Sequence, residues 1–228
     1  MKNPRLLIGK EIGDVAESTL RFFRQIGVEA IGMPSRYSTR PGSNPTIRPL
    51  IPPAHTRPLP SLQRPWDLEE LTQIKARIES FAFSVSSINL PLSGSVLLGL
   101  DDRDEQLAIV KQNIRLAGSL GIPVLTYTFT ALRASEGYGA RYADLQDGRG
   151  GADMRDFDNA RISDLPSLPS VGTHPLDEMW ERIAYFLEAV VPVAEEAGVR
   201  LAVHPNDPPV PVYRGVAQPL ATLDGLKK

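Results

Sequence analysis

The sequence contains no cysteine among its 228 residues, so disulfides, thiolate nucleophiles and cysteine-built zinc or iron-sulfur centres are excluded. It also lacks any run near the roughly 20 apolar residues that span a bilayer, and Met1-Lys2-Asn3-Pro4-Arg5 leads into no apolar signal core. Charge of one sign is missing as well. Against 25 Lys and Arg stand 27 Asp and Glu, a net −2 that offers no general attraction for nucleic acid or an anionic membrane. The expectation is a soluble, cytoplasmic protein that binds neither. Phosphate-cradling loops of the G-x-G-x-x-G or G-x-x-x-x-G-K-[ST] kind are absent, and so are the G-x-S-x-G elbow and the H-E-x-x-H helix.

What is present is an apolar share of 42%, enough for one sizeable domain. Apolar runs alternate with helical periodicity along the chain. Leu6 to Lys10 reads as a first strand, and Asp14 with Glu17 reads as the start of a helix that ends at Gly27. Val28 to Met33 makes a second strand. Asp67 and Glu70 open a second helix whose Leu71, Ile74, Ile78 and Phe81 recur on one face. Ser84 to Leu90 is a third strand. Asp101 or Asp102 caps a third helix, striped by Leu107, Val110, Ile114 and Ala117 and stopped at Gly121. Pro123 to Phe129 is a fourth strand. A fourth helix begins near Pro175, with Asp177 and Glu178 at its positive end and Met179, Trp180, Ile183, Leu187 and Val190 along one face. Pro192 is expected to bend it and Gly198 to close it, before a fifth strand from Val199 to His204.

This β-α alternation implies a parallel sheet covered by helices, either doubly wound or part of a (β/α)8 barrel. Five strands are too few to close an eight-stranded barrel, and the 24 residues after His204 cannot supply three more units. The expectation is a single partial TIM-barrel domain over 1–228, a barrel that stops early. Two long loops interrupt it. Residues 35–65 carry eight prolines and five arginines (Arg36, Arg40, Arg48, Arg57 and Arg64) and no acid. That loop reads either as a lid attracting a carboxylate or phosphate, or as an extended proline-rich excursion or oligomer contact. Residues 131–173 include Gly137-Tyr138-Gly139 and Gly148-Arg149-Gly150-Gly151-Ala152, which suit close backbone approach to a ligand and plain turns equally.

Three histidines are available for chemistry. His55 lies in the proline-rich loop and His174 at a helix entrance, where it is expected to help cap. His204 ends a parallel strand, the edge at which such folds gather functional groups, and Pro205-Asn206-Asp207-Pro208-Pro209 follows it as a rigid polar turn.

The run from Val190 to Pro209 resembles the strand-five segment of the mannonate dehydratase family, metal-dependent TIM barrels of the xylose isomerase-like superfamily with a His-Pro-x-Asp-Pro-Pro motif. Gly148 to Ala152 followed by Phe157-Asp158, and Tyr127-Thr128-Phe129, are similar to further family segments. The resemblance is specific over 84–228 and rests on topology before that. It implies a hydro-lyase of hexuronate (glucuronate) breakdown that removes water from D-mannonate to give 2-keto-3-deoxy-D-gluconate, with Mn2+ or Fe2+ as cofactor. Carried over by position, His204 is a metal ligand. Asn206 and Asp207 shape the same rim, and Tyr127 and Arg149 are substrate contacts. Asn206 stands where some members have an acid. The family's other ligands, a Cys, a His and an Asp, come from strands six to eight, which this chain is expected to lack. Two alternatives stay open: a sugar isomerase or epimerase of the same superfamily, and a non-catalytic partial barrel that forms a homo-oligomer through unpaired strand edges.

Overall fold

The computed structural model describes residues 5–35, 57–133, 136–140 and 155–228. Five strands, β1 (Gly9–Glu11), β2 (Ala30–Met33), β3 (Ser84–Asn89), β4 (Val124–Thr128) and β5 (Arg200–His204), form one sheet in chain order. Every pairing in it is parallel. A doubly wound sheet reverses its strand order part-way across; this one never does, so it is the wall of a partial barrel. Among the described residues β5 pairs only with β4, and β1 only with β2.

Helices α1 (Glu17–Gln25), α2 (Leu68–Glu79), α4 (Arg103–Ser119) and α5 (Leu176–Glu196) are the four expected crossovers, and the short α3 (Gly94–Leu98) and α6 (Leu223–Lys227) are additional. The stripes pack as their spacing requires. Leu71, Ile74 and Ile78 of α2, Leu107, Val110, Ile114 and Ala117 of α4, and Met179, Ile183, Phe186 and Val190 of α5 are all buried against the sheet. At about 1.5–3 kcal/mol for each large side chain removed from water, this layer is the main stabilising contribution. At the end of α4 the backbone of α5 comes very close: a Cβ on Gly118 would lie 2.4 Å from the Ala197 carbonyl oxygen.

Several boundaries differ from expectation. The first strand starts three residues later than the apolar run, because Leu6 (93% exposed), Leu7 and Ile8 precede the sheet and lie largely in solvent. Asp14 does not cap α1. Ala16 holds that position, while buried Asp14 accepts the Ala16 N–H at 3.0 Å in a turn ahead of the helix. Asp67 caps α2 as expected, accepting Glu70 N–H at 2.9 Å, but Asp102 at the start of α4 makes no side-chain cap. Phe81 lies beyond the end of α2, where the Arg77 guanidinium stands 4.8 Å from its ring centroid. Trp180 and Leu187 are half-buried at the edge of the α5 stripe, and α5 continues through Pro192.

The parity of the strands decides what reaches the other face. Ile31, Met33, Ile88, Leu125 and Tyr127 are buried toward the helices. Their alternates, Gly32, Ser87, Asn89, Thr126 and Thr128, share the opposite face, and the register that sets Thr128 beside His204 puts the histidine there too. Glu11 joins it from β1, its Cγ lying so close over Gly32 that a Cβ there would meet it at 2.6 Å. In a barrel this polar face is the interior.

Candidate functional site

At the carboxyl ends of β3, β4 and β5 a cavity of about 740 Å3 opens, with Asn89, Thr128, Thr130, His204 and Asp207 on the sheet side and residues 59–64 with Trp66 on the loop side. His204 is exposed to it. Its Nδ1 lies 2.6 Å from the Pro205 carbonyl oxygen, which can only accept, so Nδ1 donates there and Nε2 is the ring nitrogen left for a ligand. Asn89 donates through Nδ2 to the Thr126 carbonyl at 3.2 Å. Its Oδ1 is the end left for hydrogen bonding at the cavity wall.

The turn after His204 is held from within. Asn206, 3% exposed, donates through Nδ2 to the Phe129 carbonyl at 2.8 Å and to Thr130 Oγ1 at 3.0 Å, and its Oδ1 accepts Leu220 N–H at 2.7 Å. Gln218 adds Nε2 bonds to the carbonyls of Pro208 at 2.7 Å and Val210 at 2.8 Å. The Asn206 amide is thus committed through both of its ends to fixing the β4 and β5 ends to each other.

Asp207 stays at the cavity. Desolvation there raises its carboxyl pKa above the usual carboxylate range, and its Oδ1 accepts the Tyr138 hydroxyl. Tyr138 belongs to a hairpin of 138–140 with 155–157, in which its ring packs 5.1 Å from Phe157. Glu136 beside it accepts the Tyr213 hydroxyl and lies 3.8 Å from the Arg214 guanidinium. The insertion after β4 is thereby fastened to the segment after β5 at two points.

Tyr127 is placed elsewhere. It is 7% exposed and its ring packs at a tilt 5.3 Å from Phe186 of α5, and burial raises its pKa; strand parity turns it to the helix layer, away from the cavity. Arg149, the glycines around it and His55 lie outside the described residues. His174 braces the entrance of α5, with Nδ1 3.2 Å from Glu178 Oε1 and Nε2 3.0 Å from the Val171 carbonyl. It faces a second, mainly apolar cavity of about 750 Å3 that contains none of the expected site residues.

The sequence reading missed the opposite wall. Residues 59–66 are gripped by two buried amides of α4. Gln106 accepts Leu62 N–H at 2.6 Å and donates to the Leu62 carbonyl at 3.3 Å, and Asn113 accepts Trp66 N–H at 2.8 Å. The signal was available: both interrupt the α4 stripe as polar residues at buried positions, two turns apart on one face.

A divalent ion such as Mn2+ or Fe2+ requires several oxygen or nitrogen donors. Among the described residues no group of three or more His, Cys, Asp or Glu side chains is placed to hold one. His204 supplies a single imidazole, and the donors among the described residues do not make a metal site on their own. What the arrangement does provide is a chamber lined in part by Leu, Pro and Trp side chains and in part by hydroxyls and amides, with one carboxyl, one imidazole and one guanidinium on its walls.

The comparisons agree with this architecture. The family model for D-mannonate dehydratase (UxuA) matches residues 50–169 and 172–228. Mannonate dehydratases of Shouchella clausii and Streptococcus equi subsp. zooepidemicus are 30% and 29% identical over 176 and 171 residues, each match covering 65% of this chain and 49% and 46% of the relative. The chain thus spans about half the length of these curated relatives. The crystal structure of mannonate dehydratase from Streptococcus suis superposes with a TM-score of 0.71 at 22% identity, covering 99% of this chain and 59% of that one. A D-psicose 3-epimerase from Clostridium cellulolyticum gives 0.51 at 10% identity, a likeness of fold alone. With the model matched over most of its length, the chain belongs to the D-mannonate dehydratase family.

Proposed function

We propose that this chain forms the sugar-acid-holding part of a D-mannonate dehydratase-type hydro-lyase, working as one partial-barrel domain. The observation that carries the reading is His204, set by register on the polar face of the sheet at the mouth of a cavity that also presents hydroxyls and amides, in a chain of this family. The reaction takes the proton from the carbon beside the carboxylate and hydroxide from the next carbon. A double bond forms between them, water leaves, and the resulting enol rearranges to 2-keto-3-deoxy-D-gluconate. A carbon acid next to a carboxylate is weak, so the site must hold the substrate rigidly and stabilise charge as the proton departs.

In this reading Asn89, Thr128, Thr130 and Asp207 hydrogen-bond the hydroxyls of the acid, and His204 presents Nε2 to it. His204 would be one ligand to Mn2+ or Fe2+. Because the described residues do not complete that coordination, no metal-dependent step is assigned to them. The edges of β1 and β5, unpaired among the described residues, suit a homo-oligomer. Among the described residues no helix is long and apolar enough to cross a membrane, and the cysteine-free composition fits hexuronate breakdown in the cytoplasm.

The test is calorimetric titration with D-mannonate, combined with chromatographic identification of the products formed with Mn2+ from D-mannonate and from ketohexoses. Saturable D-mannonate binding that falls about tenfold in His204→Ala, with 2-keto-3-deoxy-D-gluconate as the product, supports the reading. Interconversion of ketoses in its place, or no binding of D-mannonate, overturns it.

A further inference from the structure

The wall of the cavity opposite His204 is built with more care than a connecting loop requires. The backbone at Leu62 is held by both ends of the Gln106 amide and that at Trp66 by Asn113, with Gln106 6% and Asn113 1% exposed. Leu59 is tied as well, its carbonyl accepting Gly94 N–H at 2.9 Å. Midway between the two amide clamps stands Arg64, exposed at the cavity and the only lysine or arginine among the described residues that line it. Across the chamber are His204 and Asp207. Burying two amides to hold a short irregular segment is costly unless each finds partners, and here both do. The result is a guanidinium carried on a fixed backbone in a chamber otherwise lined by neutral groups, one imidazole and one carboxyl.

A guanidinium on a rigid mount is suited to a planar anion, because its two parallel N–H donors match the two oxygens of a carboxylate. We infer that Arg64 is the carboxylate anchor of this site, the residue that selects acids over neutral polyols, and that Gln106 and Asn113 are its positioning residues. The inference rests on the sugar-acid reading above and adds to it which wall takes the charged end. The hydroxylated remainder of the ligand then extends toward the sheet side, where Asn89, Thr128 and Thr130 provide hydroxyl and amide partners.

The experiment uses the whole chain with D-mannonate, D-gluconate and D-mannitol as probes. Arg64 is labelled with phenylglyoxal, and adduct formation at that residue is followed by peptide mass spectrometry. Calorimetry is run in parallel on the wild type, Arg64→Ala and Arg64→Lys. Expected is labelling of Arg64 slowed about tenfold by either acid at ten times its Kd and unchanged by mannitol. Arg64→Ala should bind the acids about 10- to 100-fold more weakly and mannitol within about twofold, with Arg64→Lys in between. Equal labelling with all three probes, or acid affinity unchanged in Arg64→Ala, overturns the inference even if D-mannonate proves to be the substrate. Protection by D-gluconate and D-mannonate alike, without any dehydration, upholds Arg64 as the anchor while the dehydratase reading falls.

Discussion

Asn206→Asp replaces one amide with a carboxyl at a position sealed from solvent, and the structure says what that costs and when. The native Nδ2 donates to the Phe129 carbonyl and Thr130 Oγ1, while Oδ1 accepts from Leu220 N–H. An ionised carboxylate keeps the last bond but turns a negative oxygen toward a carbonyl oxygen that can only accept. A protonated carboxyl retains one donor and restores part of the contact. Folding therefore raises the pKa of the new group above its unfolded value of about 3.9. A raised carboxyl pKa means the folded state holds its proton more tightly. The variant is then close to wild type below that unfolded value and loses stability as pH rises toward its folded pKa. At neutral pH two donor bonds are gone and a charge is buried, a loss of about 3 kcal/mol or more. For a chain of this size that lowers Tm by about 6–12 °C. Asn206→Ala, which loses all three bonds, should cost about 3 kcal/mol at every pH. Thermal unfolding followed by circular dichroism at pH 4 and pH 7 separates them. A pH-independent loss in Asn206→Asp, or none at all, would refute the assignment of the amide as the tie between the two strand ends.

Other substitutions probe separate parts of the reasoning. Gly118→Ala drives a methyl into the Ala197 carbonyl, where the backbone cannot yield cheaply; a loss of about 1–3 kcal/mol in urea denaturation is expected, against the gain that alanine brings to an open helix. Tyr127→Phe should leave D-mannonate affinity within about twofold by calorimetry, because the ring that packs against Phe186 is retained and the hydroxyl removed belongs to a residue turned away from the cavity. Asp207→Asn removes a carboxyl whose pKa is raised by desolvation; wild type should lose stability relative to this variant as pH climbs from about 4 through the folded pKa, and matched urea curves that stay parallel with pH would count against it.

Much of the scaffold was legible because parallel strands and their crossover helices are local patterns. The stripes of α2, α4 and α5 and the run ending in His204 need only spacing to be read, and their burial follows. The orientation of Tyr127 was legible too, from parity: in Val124-Leu125-Thr126-Tyr127-Thr128-Phe129 the apolar residues alternate with threonines, which puts tyrosine on the helix side with Leu125 and the threonines on the other. The start of β1 was not legible, since Leu6 to Ile8 are as apolar as any strand and only the pairing with β2 shows that the sheet begins at Gly9. The partners of the ties between distant segments were hidden: Asn206 meets residues 77 and 76 positions away, and although Gln106 and Asn113 stand out as polar interruptions of the α4 stripe, the segment they hold lies 44 and 47 residues back, separations over which no local pattern carries information.

The strand bearing His204 takes its ladder bonds from one neighbour alone among the described residues. Its outward amides have no ladder partner among the described residues, so hydrogen exchange along Arg200 to His204 should report on anything that docks there. The imidazole is mounted on a beam supported along one side. A strand added at that flank would stiffen it without touching the ring, and would tune how precisely the ring is aimed.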